Sequence, residues 1–307
     1  MNAVDLFAGC GGLSLGIIRA GVNVSSAYDN WLPAVTCYQT NFNHPIISFD
    51  LTDVSAAVLE IGRWMPDMIM GGPPCQDFSH AGLRSEGSKA KLTQSFARIV
   101  ASVRPTWFLM ENVDRIQKSE SMAEARLIFK EAGYGLSEHV LNASYCGVPQ
   151  RRKRFFCIGR LDQQDGFMGS TIAARLSSTA MTLRDYLGDA LGVDYYYRHP
   201  RNYSRRAVFS IDEPAATIRG VNRPIPKGYH GHPGDAVALG AGLRPLTTAE
   251  RALVQTFPPK FQWIGSKTDI EQIVGNAVPP KLAEFVGNAI MSFEAQLAAS
   301  EVNKVYA

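Results

Sequence analysis

Between residues 3 and 159 the chain alternates short apolar runs with helical stretches, and each of the first five runs ends on glycine, an acid or a cysteine-bearing turn. Such alternation predicts strand–helix–strand units, which return every strand in the same direction and so build an open, mostly parallel α/β sheet. In a sheet of this kind the strand ends share one rim, and that rim is where ligands bind.

The first unit reads as a strand over Ala3–Phe7, a turn over Ala8-Gly9-Cys10-Gly11-Gly12-Leu13, and a helix over Ser14–Ala20 that stops at Gly21. A glycine-rich turn brings a ligand against bare backbone amides at a helix N-terminus. The spacing departs from G-x-G-x-x-G, which weakens a dinucleotide reading. The second run, Val22–Tyr28, ends on Asp29, which is suited either to accept bonds from a ribose or to cap the helix that begins near Leu32-Pro33. A third strand, Ile46–Phe49, precedes Asp50, and Asp53 is placed to cap a helix over Val54–Trp64.

Pro66–Met70 is the fourth run, followed by Gly71-Gly72-Pro73-Pro74-Cys75-Gln76-Asp77-Phe78-Ser79. Two glycines allow close backbone approach and two prolines fix φ and remove donors, so Cys75 sits in a stiff loop at the same rim. Taken alone, this motif fits a tight turn with an inert cysteine better than a nucleophile, since reactivity needs a lowered thiol pKa. The polar stretch His80–Lys91 that follows is positioned to act as a lid. After a helix over Leu92–Val103, the run Pro105–Met110 ends in Glu111-Asn112-Val113, and a carboxylate there is costly to bury unless paired or used.

Beyond a helix over Met122–Ala132 and a strand over Tyr134–Asn142, the cations of Gln150-Arg151-Arg152-Lys153-Arg154 alternate between two faces, and Phe155–Gly159 closes the sheet. Composition shifts near residue 160 to glycine, proline, tyrosine and arginine, with helical periodicity confined to Leu183–Leu191. From 198 to 227 seven Lys/Arg face two acids, a local excess of +5 in a chain whose net charge is only +3. Interleaved tyrosines (195, 196, 197, 203, 229) suit a groove that tracks phosphates and reads bases, against the simpler alternative of a solvated basic loop. Thr247 and Glu250 form a capping box, and helices follow over Glu271–Ala277 and Pro280–Leu297.

With 307 residues, 46% hydrophobic and 19% charged, the chain has material for one large core and a smaller appendage. Five cysteines without C-x-x-C or Cys/His pairing argue against a disulfide framework and against a metal site. Met1–Phe7 lacks the basic head of a signal peptide and no run stays apolar for about 18 residues, so no membrane association and a cytoplasmic location are expected.

Taken in order, these motifs resemble the DNA cytosine-5 methyltransferases over almost the whole chain. The matching segments are Asp5–Leu13, Gly72-Pro73-Pro74-Cys75-Gln76, Glu111-Asn112-Val113, Gln150–Arg154, Arg244-Pro245-Leu246-Thr247 with Glu250, Gln255-Thr256-Phe257-Pro258, and Gly275-Asn276-Ala277-Val278-Pro279. The resemblance implies an α/β S-adenosylmethionine-dependent, Rossmann-like sheet with a small, irregular target-recognition domain. Residues 1–160 plus 268–307 would form the catalytic and cofactor-binding domain, and 161–267 the recognition domain. It further implies sequence-specific methylation of carbon 5 of a flipped cytosine in double-stranded DNA, through a covalent Cys75 adduct at carbon 6.

By resemblance Glu111 bonds N3 and the exocyclic amine, Arg152 holds the base at O2, and Arg154 contacts the adjacent phosphate and orients Glu111. The cofactor, S-adenosylmethionine, is assigned to Phe7, Cys10, Gly12, Asp29, Asn30, Asp50, Leu51, Gly72, Pro74, Leu92, Asn276 and Ala277. DNA contacts fall to Gln76, Ser79, Thr217, Arg219, Asn222 and Arg223. The stretch Glu213–Arg219 resembles the family's specificity signature. Two departures stand out: Asn30 follows Asp29 with the aromatic one place later at Trp31, and the lid ends Ser88-Lys89-Ala90-Lys91-Leu92 where Arg-Gly is more usual. A monomer is expected, with a cognate restriction endonuclease acting on the same site as a partner. Competing readings are a transfer RNA cytosine-5 methyltransferase, disfavoured by Gln255–Pro259, a non-catalytic DNA-binding module, and a nicotinamide oxidoreductase.

Overall fold

The computed structural model describes residues 1–74, 90–240 and 242–305, except for the side chains of Ala90 and of residues 301–305. Cys75, Gln76, Ser79 and the lid residues before Ala90 lie outside the described residues.

Seven strands form one sheet: β1 (Asn2–Leu6), β2 (Asn23–Asp29), β3 (Ile46–Ser48), β4 (Met68–Gly71), β5 (Trp107–Val113), β6 (Tyr134–Asn142) and β8 (Lys153–Leu161), with β7 (Gln150–Arg151) outside it. Their order is β3-β2-β1-β4-β5-β8-β6. All neighbours pair in parallel except β8, which runs antiparallel to both β5 and β6. The Phe155–Gly159 run therefore does not close the sheet as expected from sequence. It is slotted inside the sheet, with β6 at the edge. Phe155, Phe156, Cys157 and Ile158 are fully buried, so this run, apolar on both faces, lies where helices cover the sheet above and below, and its backbone bonds are satisfied by strands on both sides.

Side-chain alternation splits the core into two layers. Met68, Met70, Trp107, Leu109, Phe156 and Ile158 face α1 (Gly12–Arg19) and the long C-terminal helix Pro280–Val305. Ile69, Phe108, Met110, Phe155 and Cys157 face the helices Val54–Gly62, Ala90–Val103 and Glu120–Glu131. The sheet is thus covered on both sides, as parallel strands require. Asp53 caps the first of these three helices, accepting from Ala56 N at 3.1 Å, as its sequence position suggested.

Between residues 161 and 267 regular structure thins out. Helical turns over Gly169–Ala173 and Leu183–Leu187 and a three-residue ladder between β9 (Tyr195–Tyr197) and β10 (Val208–Ser210) precede β11 (Ala215–Ala216), which pairs in parallel with β7. A capping-box helix follows at Thr248–Val254, then another at Lys267–Asn276, both with the Ser/Thr cap and the acid three residues on. Phe167, Met168 and Ile172 pack into the sheet's own core. The change in packing consequently comes later than the change in composition near residue 160. From Leu183 to Val274 a separate core gathers Tyr196, Phe209, Ile218, Leu246, Phe257 and Phe261, into which Cys10 and Cys37 reach from the sheet side.

Candidate active site

The order in which strands are added reverses between the parallel neighbours β1 and β4, the point where an open α/β sheet leaves a crevice at its carboxyl rim. A cavity of about 770 Å³ opens there. It is lined by Phe7, Cys10, Gly12, Asp29, Asn30, Asp50, Leu51, Gly72, Pro74, Leu92, Asn276 and Ala277, together with Glu111 and Arg154. All twelve positions assigned to the cofactor by resemblance converge on this one space. Arg152 does not line it.

The turn after β1 is held open by an acid. Gly9 has φ 57° and Gly11 φ 89°, a left-handed region open to glycine without strain, and Phe7 shares it at φ 57° despite its side chain. Asp29 accepts from Gly9 N at 2.8 Å through Oδ2 and from Trp31 N at 2.8 Å through Oδ1. The N-cap of the helix Leu32–Asn41 is Trp31, which supplies no side-chain cap, so Asp29 does not cap that helix but pins the glycine turn to β2. At the next strand end, Asp50 accepts from Thr52 N and Oγ1 at 2.9 and 2.8 Å; these bonds hold its carboxyl below the usual range while leaving it exposed at the rim.

Asp5 is a site residue that sequence reading did not single out. It is fully buried, lines the cavity, accepts from Ser14 Oγ at 2.6 Å through Oδ2, and has no partner at Oδ1 among the described residues. Burial raises its pKa to about 7, opposed by the Ser14 bond. Ser14 Oγ lies 2.7 Å from Tyr38 Oη, and that hydroxyl 2.6 Å from His44 Nε2, so a hydrogen-bonded chain runs from the cavity toward the half-buried His44. The available signal was a carboxylate inside an otherwise apolar strand.

Glu111 lies within β5 and is 7% exposed. Burial raises its pKa, while the Arg154 guanidinium, whose Nε is 2.8 Å from Oε1, and then Arg152 oppose that shift. Its neighbour Asn112 donates from Nδ2 to the Pro73 carbonyl at 2.9 Å, and so ties the acid motif to the proline turn immediately before Cys75. The four cysteines within the described residues, Cys10, Cys37, Cys146 and Cys157, are all buried, and burial pushes every one of these thiols up, Cys146 to about 12. None has the environment of a nucleophile.

Arg152 departs from its expected place against a base. It is 1% exposed, and its guanidinium donates to the carbonyls of Ile218 at 3.0 Å, Gly275 at 3.1 Å and Ala277 at 3.0 Å. Gln150 joins it, donating to Gln255 Oε1 at 2.7 Å and accepting from Ile218 N at 2.9 Å. The alternation read from sequence holds, with Arg151 and Lys153 exposed, but Gln150 and Arg152 on its buried face form a strut between Ile218 and the cavity wall at Gly275 and Ala277.

The assigned DNA contacts also divide. Thr217 Oγ1 donates to the Arg151 carbonyl at 2.7 Å, Arg219 donates to the His199 carbonyl, and Asn222 Nδ2 donates to the Leu246 carbonyl at 2.8 Å. Arg223 is exposed, as are Arg201, Arg205 and Lys227. Among the described residues there is no cluster of His, Cys, Asp and Glu fit to hold a metal, and no helix long and apolar enough to cross a membrane.

The family model for C-5 cytosine-specific DNA methylases matches residues 1–292. The chain belongs to this family. It is 54% identical to the Type II methyltransferase M.HindV of Haemophilus influenzae, over 96% of this chain and 97% of the relative. Identity to M.HgiDI of Herpetosiphon aurantiacus is 50%, over 95% of each chain. Among solved structures, a prophage-encoded chain of Escherichia coli superposes with TM-score 0.70 at 21% identity, covering 96% of this chain and 99% of that one. The Dnmt2 methyltransferase of Schizosaccharomyces pombe does so with TM-score 0.70 at 16% identity, covering 95% and 98%. These structural likenesses speak for the fold. Family membership makes the protein a DNA (cytosine-5-)-methyltransferase, and Glu111, Arg154 and the glycine turn occupy the cavity of such an enzyme.

Proposed function

We propose that the chain methylates carbon 5 of a cytosine swung out of double-stranded DNA, with S-adenosylmethionine as donor and Cys75 as covalent nucleophile at carbon 6. The observation that carries this reading is the single cavity on which the glycine turn, Asp29, Asp50, the Pro73-Pro74 turn and the Glu111–Arg154 pair converge.

The cavity residues fit that donor. Phe7, Phe49, Leu51 and Val278 offer apolar walls, Asp29 and Asp50 offer acceptors at two strand ends, and the unpartnered Asp5 Oδ1 is a buried acceptor awaiting a donor. When bound, S-adenosylmethionine supplies an electrophilic methyl group on a sulfonium centre. The protein's part is to activate the base. Carbon 5 of cytosine is a poor nucleophile, so the Cys75 thiolate adds at carbon 6 and converts the ring to an enamine. Glu111 hydrogen-bonds N3 and the exocyclic amine as charge develops on the ring, and Arg154 holds Glu111 in place. Once carbon 5 has been alkylated, its proton leaves to water and Cys75 departs by elimination. Gln76, Ser79 and the exposed cations Arg201, Arg205, Arg223 and Lys227 are assigned to the DNA, the cations as phosphate contacts that position the duplex.

Residues 1–160 with 268–307 are assigned to catalysis and 161–267 to recognition, with the stretch around Phe167–Ile172 on the catalytic side by its packing. The protein is assigned a monomeric state in the cytoplasm. The relatives' names as Type II methyltransferases support a place beside a restriction endonuclease of the same specificity.

Bisulfite sequencing of DNA from a host expressing the protein is the test: protected cytosines in one recurring sequence are expected. Cys75→Ser should abolish protection while retaining S-adenosylmethionine binding by calorimetry. Turnover surviving in that variant overturns the covalent mechanism.

A further inference from the structure

Two buried charged groups that the chemistry above does not use lie where the recognition segment meets the cavity wall. Arg251, in the helix Thr248–Val254, is 4% exposed, and Glu271, in the helix Lys267–Asn276, is 5% exposed. They form an ion pair. Arg251 Nη2 also donates to the Arg219 carbonyl. Glu271 Oε1 accepts from Thr248 Oγ1 at 2.6 Å and from Asn222 Nδ2 at 3.4 Å. The pair thus grips the segment from Arg219 to Asn222 at both ends.

The same segment presses on the helix that carries Glu271. A Cβ built on Gly275 would lie 2.1 Å from Gly220 N and 2.3 Å from the Arg219 carbonyl carbon, so the two backbones are in direct contact and position 275 admits no side chain. Gln272, Ile273, Gly275 and Asn276, from the last turns of that helix, line the cavity. A buried ion pair is weak evidence of stabilisation, because desolvation offsets its attraction; its best-attested use is to fix how elements register against one another. Here the registered elements are the DNA-reading segment and one wall of the cofactor cavity.

We infer that Arg251 and Glu271 are positioning residues that couple the two, so that cognate DNA seated on residues 219–223 and cofactor bound against residues 272–277 favour each other. The inference rests on the proposed function, and on Arg219–Arg223 belonging to the recognition segment. Linkage makes the effect reciprocal, and coupling between two binding sites is typically about 5- to 150-fold.

The test titrates S-adenosylhomocysteine into the full-length protein, alone and with a duplex carrying the sequence found by bisulfite mapping. In the wild type the cognate duplex should tighten binding at least about 5-fold, and an unrelated duplex should not. In Glu271→Gln, which keeps the side chain's shape and its bonds from Thr248 and Asn222 but removes the charge facing Arg251, that gain should fall below about 2-fold, with affinity in the absence of DNA unchanged. Arg251→Met with Glu271→Met removes both buried charges at similar volume; it should melt near the wild-type temperature and show the same loss, which a role in stability alone would not produce. Full coupling in the double variant overturns the inference, as does a wild type that methylates DNA without coupling. A wild type that leaves DNA unmethylated overturns the function itself.

Discussion

The carboxyl rim of the sheet and the segment 215–223, proposed to face DNA, solve the same problem, holding side chains still, by opposite means. At the rim the backbone is held by the ladder: β1 pairs with β4 and β4 with β5 residue by residue up to Gly71 and Met110, and β1 pairs with β2 with one register shift after Ala3. Side chains at the strand ends are free to face a cavity, and Asp29, Asp50 and Glu111 do so. Along residues 215–223 the ladder is two residue pairs long, Ala215 with Gln150 and Ala216 with Arg151. Side chains there do the work of a sheet. Thr217, Arg219 and Asn222 bond internal carbonyls, and Gln150, Arg152 and Arg251 supply donors or acceptors to the backbone of residues 218 and 219. A basic, irregular stretch is therefore no guarantee of a nucleic-acid surface, because part of its polarity is spent on its own construction.

The contrast breaks most visibly at the rim, where function should be bought at the expense of stability. Glu111→Gln should lower turnover about 10²- to 10³-fold, the usual loss on removing one electrostatic stabiliser. Its stability should move the other way. Burial raises the Glu111 pKa from its ordinary 4.5, so wild-type stability falls as pH rises from the unfolded value through the folded one, where the buried carboxyl must ionise. The variant should melt above the wild type at neutral pH, the gap closing in acid. Melting curves against pH check the sign; a variant less stable at every pH would mean that the Arg154 pairing outweighs burial.

A smaller effect should come from the strut. Arg152→Met removes a donor from three carbonyls, of which that of Ala277 keeps a longer bond from Gln255 Nε2 at 3.3 Å, and a loss of stability on the order of 3 kcal/mol is expected in urea unfolding. If Arg152 instead acted chiefly on the base, turnover would collapse with little change in unfolding midpoint. The least effect on folding should follow Arg223→Ala. This side chain is exposed, so stability should change by less than about 0.5 kcal/mol. DNA affinity should weaken evenly across sequences, with the slope of log affinity against log salt reduced by about 1. A sequence-selective loss would turn Arg223 from a phosphate contact into a base reader.

Most of the sheet was legible from sequence because its signals are local. Runs such as Met68–Met70 and Trp107–Met110 are apolar on both faces, caps such as Asp53 and Thr247 sit at fixed offsets, and the glycine turn names its own conformation. The place of β8 was not legible, since an apolar run carries no record of which strands flank it. Asp5 was not legible either: what marks it, full burial with one oxygen unpartnered among the described residues, exists only once the strand is packed.

By itself, then, the sequence determined the strand-and-turn frame, the order of the motifs and most of the residues that meet at the cavity, Asp5 excepted. Tertiary structure alone decided which cations are struts and which are free. Arg152 finds its carbonyl acceptors 66, 123 and 125 residues away, and Arg251 finds its acceptor 32 residues away. Whether a guanidinium meets a carbonyl or water depends on such distant contacts, and no local pattern encodes them.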